Sequence, residues 1–148
     1  MKITEAVKTP VNSSIAVFQL PVRVYYQDTD AGGVVYHSTY LNFMERARYE
    51  WLRELGFDIP SLIQIHKVIF MIRSLSIEYL KPALLDDLLH VSAQATELGR
   101  SRITISQQVL RGTATLVSAT VQAVCVGADN LKLVSVPAPL RHKLEKLS

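Results

Sequence analysis

The sequence predicts an α+β fold in which one curved antiparallel sheet wraps a single long helix. Three observations support this. Residues 39–55 carry apolar side chains at helical spacing, most later segments have the composition of strands, and the connections between those strands are short. Because a parallel connection needs a dozen or more residues, short connections indicate antiparallel strands. Helix and sheet each have an apolar face to bury, so we expect them to pack together.

The length and composition are those of one domain. The chain has 148 residues, 49% of them hydrophobic, and a mean hydropathy of +0.19, which is enough for a sizeable core. Residues 1–16 are polar and aperiodic and are predicted to be a flexible leader, followed by a single domain over 17–148. No apolar run approaches the ~18 to 20 residues of a membrane span and no secretory signal is visible, so we expect a cytoplasmic protein.

The charge and cysteine content argue against two classes of function. The 16 basic and 13 acidic residues are scattered along the chain, for a net charge of +3, whereas nucleic-acid-binding proteins concentrate Lys and Arg on one face. We therefore expect no nucleic-acid partner. The one cysteine, Cys125, cannot form an internal disulfide, and its strand-like surroundings are typical of a buried structural thiol.

The first predicted elements are a strand and the long helix. β-branched and aromatic residues predominate in 17–27, as is typical of strands. Ser38 or Thr39 can cap the start of the helix, and Gly56 suits the position just past its end. Apolar residues recur three or four apart between those limits, which indicates one buried face; the recurring positions are Tyr40, Met44, Ala47, Trp51 and Leu55.

The rest of the chain is predicted to consist mainly of strands. Residues 57–66 are typical of a short helical turn, and the charged segment 141–148 is predicted to end a solvated helix. Between them, β-branched and apolar segments alternate with short stretches of Gly, Pro, Asn and Asp, as in strands joined by turns. The predicted strands are 67–82, 88–98, 102–112, 113–127 and 131–136.

One residue does not fit the apolar face of the helix. Arg48 falls in the middle of that face at about 100° per residue. Its apolar stem can extend along the core while the guanidinium reaches water. Otherwise the guanidinium needs a buried carboxylate partner.

The segment 28–37, DTDAGGVVYH, holds more chemistry than a turn requires. A turn needs one or two residues such as Asp, Thr or Gly, so the histidine and the tyrosine are surplus. Together with the helix YLNFMERARYEWLRELG and the later run EYLKPALLDD, this segment resembles the hotdog-fold thioesterases of the 4-hydroxybenzoyl-CoA thioesterase family. The resemblance is closest to their Tol-Pal-associated (YbgC) branch and covers residues 20 to about 136.

The resemblance implies a fold, an assembly and an activity. The implied fold is the hotdog, a curved antiparallel sheet around one central helix. Subunits join edge to edge into a homodimer, often paired into a homotetramer, with active sites at the interface. The implied reaction is the hydrolysis of acyl-CoA thioesters without a metal or other cofactor, because coenzyme A is part of the substrate. Acyl carrier protein is a further candidate partner.

Asp30 is the implied catalytic carboxylate. Thioester hydrolysis needs a group that attacks the carbonyl or activates water, and Asp can do either, so both roles stay open. The alternative is an Asx-type turn residue. Asp28 is interpreted as structural, paired with Arg48 or Arg23, because two ionised carboxylates at one reacting centre raise each other's pKa. Tyr26, at the end of the first strand, either orients Asp30 or is an ordinary strand aromatic.

The start of the helix is the implied oxyanion hole. Backbone N–H groups there lack partners within the helix and carry the positive end of its dipole. The resemblance assigns the key donor to the N–H of His37, whose ring polarises the carbonyl or handles a proton; a capping or packing role is the alternative. Gly32 and Gly33 let the backbone approach the substrate closely, and Tyr36 is assigned to the substrate site with them.

The turn after the predicted strand 88–98 is the implied binding site for the phosphates of coenzyme A. Arg100 and Arg102 flank Ser101 there, where the resembling enzymes have basic residues at the nucleotide end of the substrate. Plain surface charge is the alternative for each arginine.

Two other classes of function are compatible with the same fold. One is a hotdog hydratase or dehydratase, which also uses Asp and His on acyl thioesters. The other is a non-catalytic module that binds acyl chains or acyl carrier protein. Fold alone does not decide among them, and an intact Asp30 favours the hydrolase.

Overall fold

The computed structural model describes residues 17–147, and it confirms the α+β class. Residues 1–16, where the flexible leader is predicted, lie outside the described residues. A short 3-10 turn at Tyr26–Asp28 follows the first strand. The helices and strands along the chain are β1 (Phe18–Arg23), α1 (Thr39–Glu54), α2 (Ile59–Gln64), β2 (Val68–Tyr79), β3 (Leu88–Leu98), β4 (Arg102–Arg111), β5 (Ala114–Gly127) and α3 (Ala138–Leu147).

The strands form one five-stranded antiparallel sheet in the order β1-β3-β4-β5-β2. β3, β4 and β5 pair with their neighbours in sequence through short turns, as predicted. β2 and β3 do not pair: β2 lies at one edge beside β5, and β3 lies beside β1. Their connection, 80–87, bonds instead to residues that precede α1, with N–H to carbonyl distances of 2.9 Å from Val35 to Ala83 and from Val24 to Asp87. The expected pairing fails here because the connection crosses the molecule rather than turning back.

α1 forms over the predicted residues and buries one face against the sheet. It ends as predicted, since Gly56 has φ +94° and donates its N–H to the Arg53 carbonyl (2.9 Å). Ser38 precedes the first helical residue, but its side chain makes no capping hydrogen bond. The buried residues of the helix are Tyr40, Phe43, Met44, Ala47, Trp51 and Leu52.

Arg48 is half-buried and has no carboxylate partner among the described residues. Its Nη1 donates to Oε1 of Gln107, a neutral amide on β4, at 2.8 Å. Gln107 is fully buried and uses its own Nε2 to donate to the carbonyls of Met44 (3.0 Å) and Ser92 (3.2 Å). Burial lowers the pKa of Arg48 below its ordinary value, and the nearby Glu45 carboxylate partly offsets this effect. The amide therefore ties α1 to β3 and β4.

One predicted strand is too long and another does not form. The first strand ends at Arg23 rather than continuing to 27, because a 3-10 turn follows. The segment 131–136 forms only one isolated bridge, between Val126 and Leu133. The reason is the length of β4: it begins at Arg102, opposite Val124, so only the last residues of β5 have a free side for pairing.

α3 closes one end of the molecule. Its Leu140 and Leu144 are fully buried, and Lys143 Nζ donates to the Leu55 carbonyl just past the end of α1 (2.7 Å). Cys125 is buried in the same part of the core, as predicted. Within residues 17–147, no helix has the length and apolarity that crossing a membrane would take.

Candidate active site

The segment 28–37 folds into a small hairpin directly before α1. One bridge pairs Thr29 with Val35 across the hairpin, and a second joins Val34 to Leu84 in the connection after β2. The hairpin is therefore held on both sides, by its own turn and by the crossing connection. This arrangement fixes the backbone that carries the predicted catalytic residues.

Asp28 has a different partner from the one predicted. It is buried, and its Oδ2 accepts from the N–H of Tyr25 at 2.8 Å, which closes the 3-10 turn. Arg23 donates to a backbone carbonyl in the connection 80–87 at 2.7 Å, and Arg48 donates to an amide on β4. The expected ion pair with either arginine is thus wrong, because a backbone N–H three residues away satisfies the carboxylate.

Asp30 lies exposed at the tip of the hairpin. Its Oδ1 accepts from the N–H of Gly32 (2.8 Å), and its carbonyl accepts from the N–H of Gly33 (3.0 Å). Gly33 has φ +82°, a conformation that glycine adopts without strain. This is the Asx-type turn. It leaves Oδ2 without a hydrogen-bond partner among residues 17–147, so one carboxylate oxygen is available for chemistry.

The start of α1 presents unpaired backbone donors beside an aromatic cluster. The N–H groups of His37 and Ser38 have no acceptor in the described part of the chain. The exposed His37 ring lies against Tyr36 (centroids 4.4 Å apart) and is edge-on to Tyr79 (6.4 Å). The Tyr79 hydroxyl donates to the His37 carbonyl at 2.9 Å. Unpaired N–H groups at a helix N-terminus favour an anion or a developing negative charge.

A shallow groove of about 260 Å³ runs past His37. The Tyr40 hydroxyl at its base accepts from the N–H of Ala83 (3.0 Å), and burial raises the pKa of Tyr40 above its ordinary value. That hydroxyl is therefore neutral and held in place. The residues lining the groove are Val35, His37, Tyr40, Tyr79, Leu80, Lys81 and Pro82.

Tyr26 is not placed at a strand end as expected. It lies in the 3-10 turn with 82% of its surface exposed, and its carbonyl accepts from the N–H (3.1 Å) and the hydroxyl (2.8 Å) of Thr29. No hydrogen bond joins it to Asp30 within residues 17–147. Its suggested role in orienting Asp30 stays a prediction.

The turn that carries Arg100, Ser101 and Arg102 lies at the other end of the sheet. It follows the 11-residue strand β3, whose first residues are level with the hairpin. A strand of that length spans about 35 Å. Arg141 of α3 donates to the carbonyls of Gly99 and Arg100, which fixes the turn. A single chain therefore does not bring these arginines to Asp30 and His37.

Comparison with known proteins decides the family. Residues 32–118, more than half of the chain, match the thioesterase superfamily. The chain belongs to the thioesterase superfamily. As a thioesterase it is an enzyme that hydrolyses thioesters, and the matched region contains the second half of the hairpin, α1 and the groove.

Individual relatives match this thioesterase over most of its length. It is 44% identical over 130 residues to a Haemophilus influenzae protein named acyl-CoA thioesterase YbgC, covering 88% of this chain and 96% of that one. A probable thioesterase from Bartonella henselae, solved by crystallography, is 35% identical, with a TM-score of 0.79 over 82% of this chain and 100% of that one. A Synechocystis 1,4-dihydroxy-2-naphthoyl-CoA thioesterase, 24% identical, has a TM-score of 0.81 over 89% and 98%. The hotdog fold is thereby confirmed.

The candidate site adjoins one residue, Tyr79, that the sequence reasoning did not single out. Tyr79 lies within the run EYLKPALLDD, but nothing in its spacing links it to His37, which is 42 residues away. The contact exists because the end of the edge strand β2 passes the start of α1. Within residues 17–147, no three His, Cys, Asp or Glu side chains cluster closely enough to hold a metal ion.

Proposed function

We propose that this thioesterase hydrolyses acyl-CoA thioesters to a free acid and coenzyme A. The observation that carries the proposal is the pairing of two features, one at the tip and one at the base of the same hairpin. Asp30 has an unbonded carboxylate oxygen, and His37 and Ser38 have unbonded N–H groups at the N-terminus of α1. The Haemophilus influenzae relative, named an acyl-CoA thioesterase, supports this substrate class.

The proposed reaction uses these groups in complementary roles. Asp30 attacks the thioester carbonyl, or removes a proton from a water that attacks it. The carbonyl oxygen becomes negative, and the N–H of His37, with that of Ser38 beside it, stabilises this charge. The carbon–sulfur bond then breaks, and coenzyme A leaves as a thiolate that takes up the proton released by the water. Where Asp30 itself attacks, the mixed anhydride that it forms is then hydrolysed by water, which releases the free acid and restores the carboxylate. The proposed role of the exposed His37 ring is to polarise the carbonyl or to handle a proton. The proposal uses no metal and no cofactor.

Assembly of two copies brings the arginine turn to the groove. Arg102 pairs with Val124 of β5, and Val124 pairs with Met71 of β2, so the turn is level with the first half of the edge strand. The groove lies at the other end, beside Tyr79. If two β2 strands pair antiparallel about a two-fold axis, the Met71 end of one copy lies against the Tyr79 end of the other. We therefore propose a homodimer, with each arginine turn serving the other copy's groove.

The wider biological setting is also a proposal. We place the enzyme in the cytoplasm, with acyl carrier protein as a second candidate acyl donor and association with the Tol-Pal system. We also propose that dimers pair into a homotetramer, as the resemblance to the 4-hydroxybenzoyl-CoA thioesterase family implies. Nucleic acid has no part in the proposal, because the 16 basic residues are spread along the chain.

Release of free thiol from a panel of acyl-CoA chain lengths tests the activity. Hydrolysis at enzymatic rates is expected for at least one chain length. Binding without hydrolysis would support the non-catalytic module instead. Water addition to an unsaturated acyl-CoA, with the thioester intact, would support a hydratase.

Arginine variants test the coenzyme A grip. Losing a charge-assisted contact costs about 1.5 to 3 kcal/mol, so Arg100→Ala or Arg102→Ala is expected to raise KM for acyl-CoA by tenfold or more with little change in kcat. A truncated pantetheine thioester lacks the phosphates at issue and should be turned over normally. Arg53→Ala, at an exposed arginine paired with Glu50 on α1, is the matched control. Equal effects on both substrates would place the two arginines outside the phosphate site.

A charge on the edge strand tests the dimer. Leu75 lies near the middle of β2 and is 37% exposed, so Leu75→Glu in both copies places like charges near the proposed two-fold axis. We expect loss of the dimer together with loss of hydrolysis. Gln19→Glu on the opposite edge strand, β1, is the control and should leave both unchanged. A folded monomer with full specific activity would contradict the shared site.

A further inference from the structure

The contact between Tyr79 and the start of α1 has a direct bearing on the oxyanion hole. Tyr79 is the last residue of β2, and its hydroxyl donates to the His37 carbonyl at 2.9 Å. Its ring is edge-on to the His37 ring and packs against the Tyr40 ring (centroids 5.7 Å apart). The side chain is thus held at both ends, by aromatic contacts along the ring and by one hydrogen bond at its tip.

That carbonyl belongs to the same peptide group as an unpaired donor. The peptide joining His37 to Ser38 is planar and trans, so its carbonyl oxygen and the Ser38 N–H point in opposite directions. Fixing the carbonyl therefore fixes the direction of the N–H. Ser38 has φ −78° and ψ −16°, so this peptide already lies in line with the axis of α1. A hydrogen bond at the oxygen also polarises the group and makes its N–H a better donor.

We propose that Tyr79 is a positioning residue for the oxyanion hole, acting through the peptide between His37 and Ser38. The inference rests on the proposed function and adds a residue to its machinery. Tyr79 does not touch the reacting atoms in this scheme. It holds the peptide so that the Ser38 N–H, beside that of His37, is directed at the substrate before the reaction starts. Pre-set donors of this kind favour the transition state over the bound substrate.

The position of Tyr79 on β2 adds a consequence. Because β2 is an edge strand, its Tyr79 end pairs with the sheet on one side only, through β5. A bulge between Ile72 and Ser74 also shifts the register of this strand. A second copy paired along this edge would hold the other side. The Tyr79 hydroxyl would then transmit assembly to the donors without any residue of the second copy touching them.

Removal of the single hydroxyl tests the proposal. Tyr79→Phe keeps the ring contacts and deletes one neutral hydrogen bond, for which we expect a roughly three- to tenfold fall in kcat with KM within about twofold of wild type. The loss should be the same for acyl-CoA and for a pantetheine thioester. Tyr49→Phe is the matched control, because its exposed hydroxyl makes no hydrogen bond within residues 17–147.

A second readout does not depend on turnover. The ¹⁵N–¹H amide resonance of Ser38 should move in Tyr79→Phe and stay in place in Tyr49→Phe. A coenzyme A trifluoromethyl ketone, which becomes tetrahedral when water or the Asp30 carboxylate adds to its carbonyl carbon, should bind Tyr79→Phe three- to tenfold more weakly. An S-alkyl coenzyme A thioether, which has no carbonyl oxygen, should bind equally to both proteins.

The outcomes separate this inference from the proposed function. An active wild type with an unchanged kcat in Tyr79→Phe would overturn the positioning role alone. A raised KM with unchanged kcat would also overturn it, by showing a contact with the substrate instead. An inactive wild type would overturn the proposed function. In that case an unmoved Ser38 resonance would reject the positioning role as well. A shifted resonance would still support the structural part of the inference, that the Tyr79 hydroxyl orients the peptide between His37 and Ser38.

Discussion

Replacing Gln107 should destabilise the fold strongly although the residue does not line the groove. Its fully buried amide makes three hydrogen bonds, one to the Arg48 guanidinium and two to the carbonyls of Met44 and Ser92. A bond to a charged group contributes about 1.5 to 3 kcal/mol and a neutral one about 0.5 to 1.5 kcal/mol. Gln107→Leu recovers part of this through apolar burial, so we expect a net loss of about 3 kcal/mol and a fall of about 10 °C in Tm.

The neighbouring glutamine provides the control for this prediction. Gln108 faces the other side of β4 and its side chain makes no hydrogen bond within the described residues, so Gln108→Leu should change Tm by about 1 °C or less. Thermal unfolding followed by circular dichroism measures both. In a double-mutant cycle, Arg48→Met should recover part of the loss in Gln107→Leu, because no guanidinium is then left without its partner. Equal Tm values for the two glutamine variants would refute this reasoning.

Three further predictions concern other parts of the molecule. Burial opposes ionisation of Asp87, but hydrogen bonds from the Leu84 N–H and from the Arg111 guanidinium outweigh this effect and lower the pKa of the carboxyl. Its contribution to the free energy of unfolding is therefore present above about pH 4 and lost as the pH falls. Asp87→Asn should lower the urea midpoint at pH 7 and match wild type at pH 2, and an equal difference in midpoint at both pH values would contradict this. Burial raises the pKa of Cys125 to about 11, so a thiol reagent at pH 8 should label native protein far more slowly than unfolded protein, and equal rates would refute the buried thiol. A Cβ on Gly32 would lie 3.2 Å from Asp30 Oδ1, so the carboxylate must move slightly to make room for it. Gly32→Ala should therefore lower kcat, and unchanged kinetics would show that the reaction tolerates this movement of the carboxylate.

Much of the fold follows from local patterns in the sequence. The three- and four-residue spacing from Tyr40 to Trp51 predicts α1, and Gly56 at φ +94° marks its end. The short turns predict the meander of β3, β4 and β5. These features depend on residues close together in the chain, where periodicity and turn chemistry carry the information.

The features that were missed depend on residues far apart in the chain. Arg48 contacts Gln107 over 59 positions, and Tyr79 contacts His37 over 42. The position of β2 beside β5 is set by the same long-range packing. No spacing rule links such residues, because their meeting depends on how the whole sheet wraps the helix. The hairpin 28–37 could be recognised because its chemistry lies in one continuous run.

The turnover of Asp30→Asn tests the central claim most directly. The substitution keeps the side-chain oxygen that accepts from Gly32 and removes the charge, so folding should be unchanged while kcat for the best acyl-CoA substrate falls by at least about a hundredfold. Asp28→Asn, measured in parallel, should retain most activity and lower the Tm, because Asp28 is buried and bonded within its own turn. Near-wild-type turnover by folded Asp30→Asn would contradict the account, and loss of hydrolysis in Asp28→Asn at an unchanged Tm would show that the two carboxylates had been assigned the wrong way round.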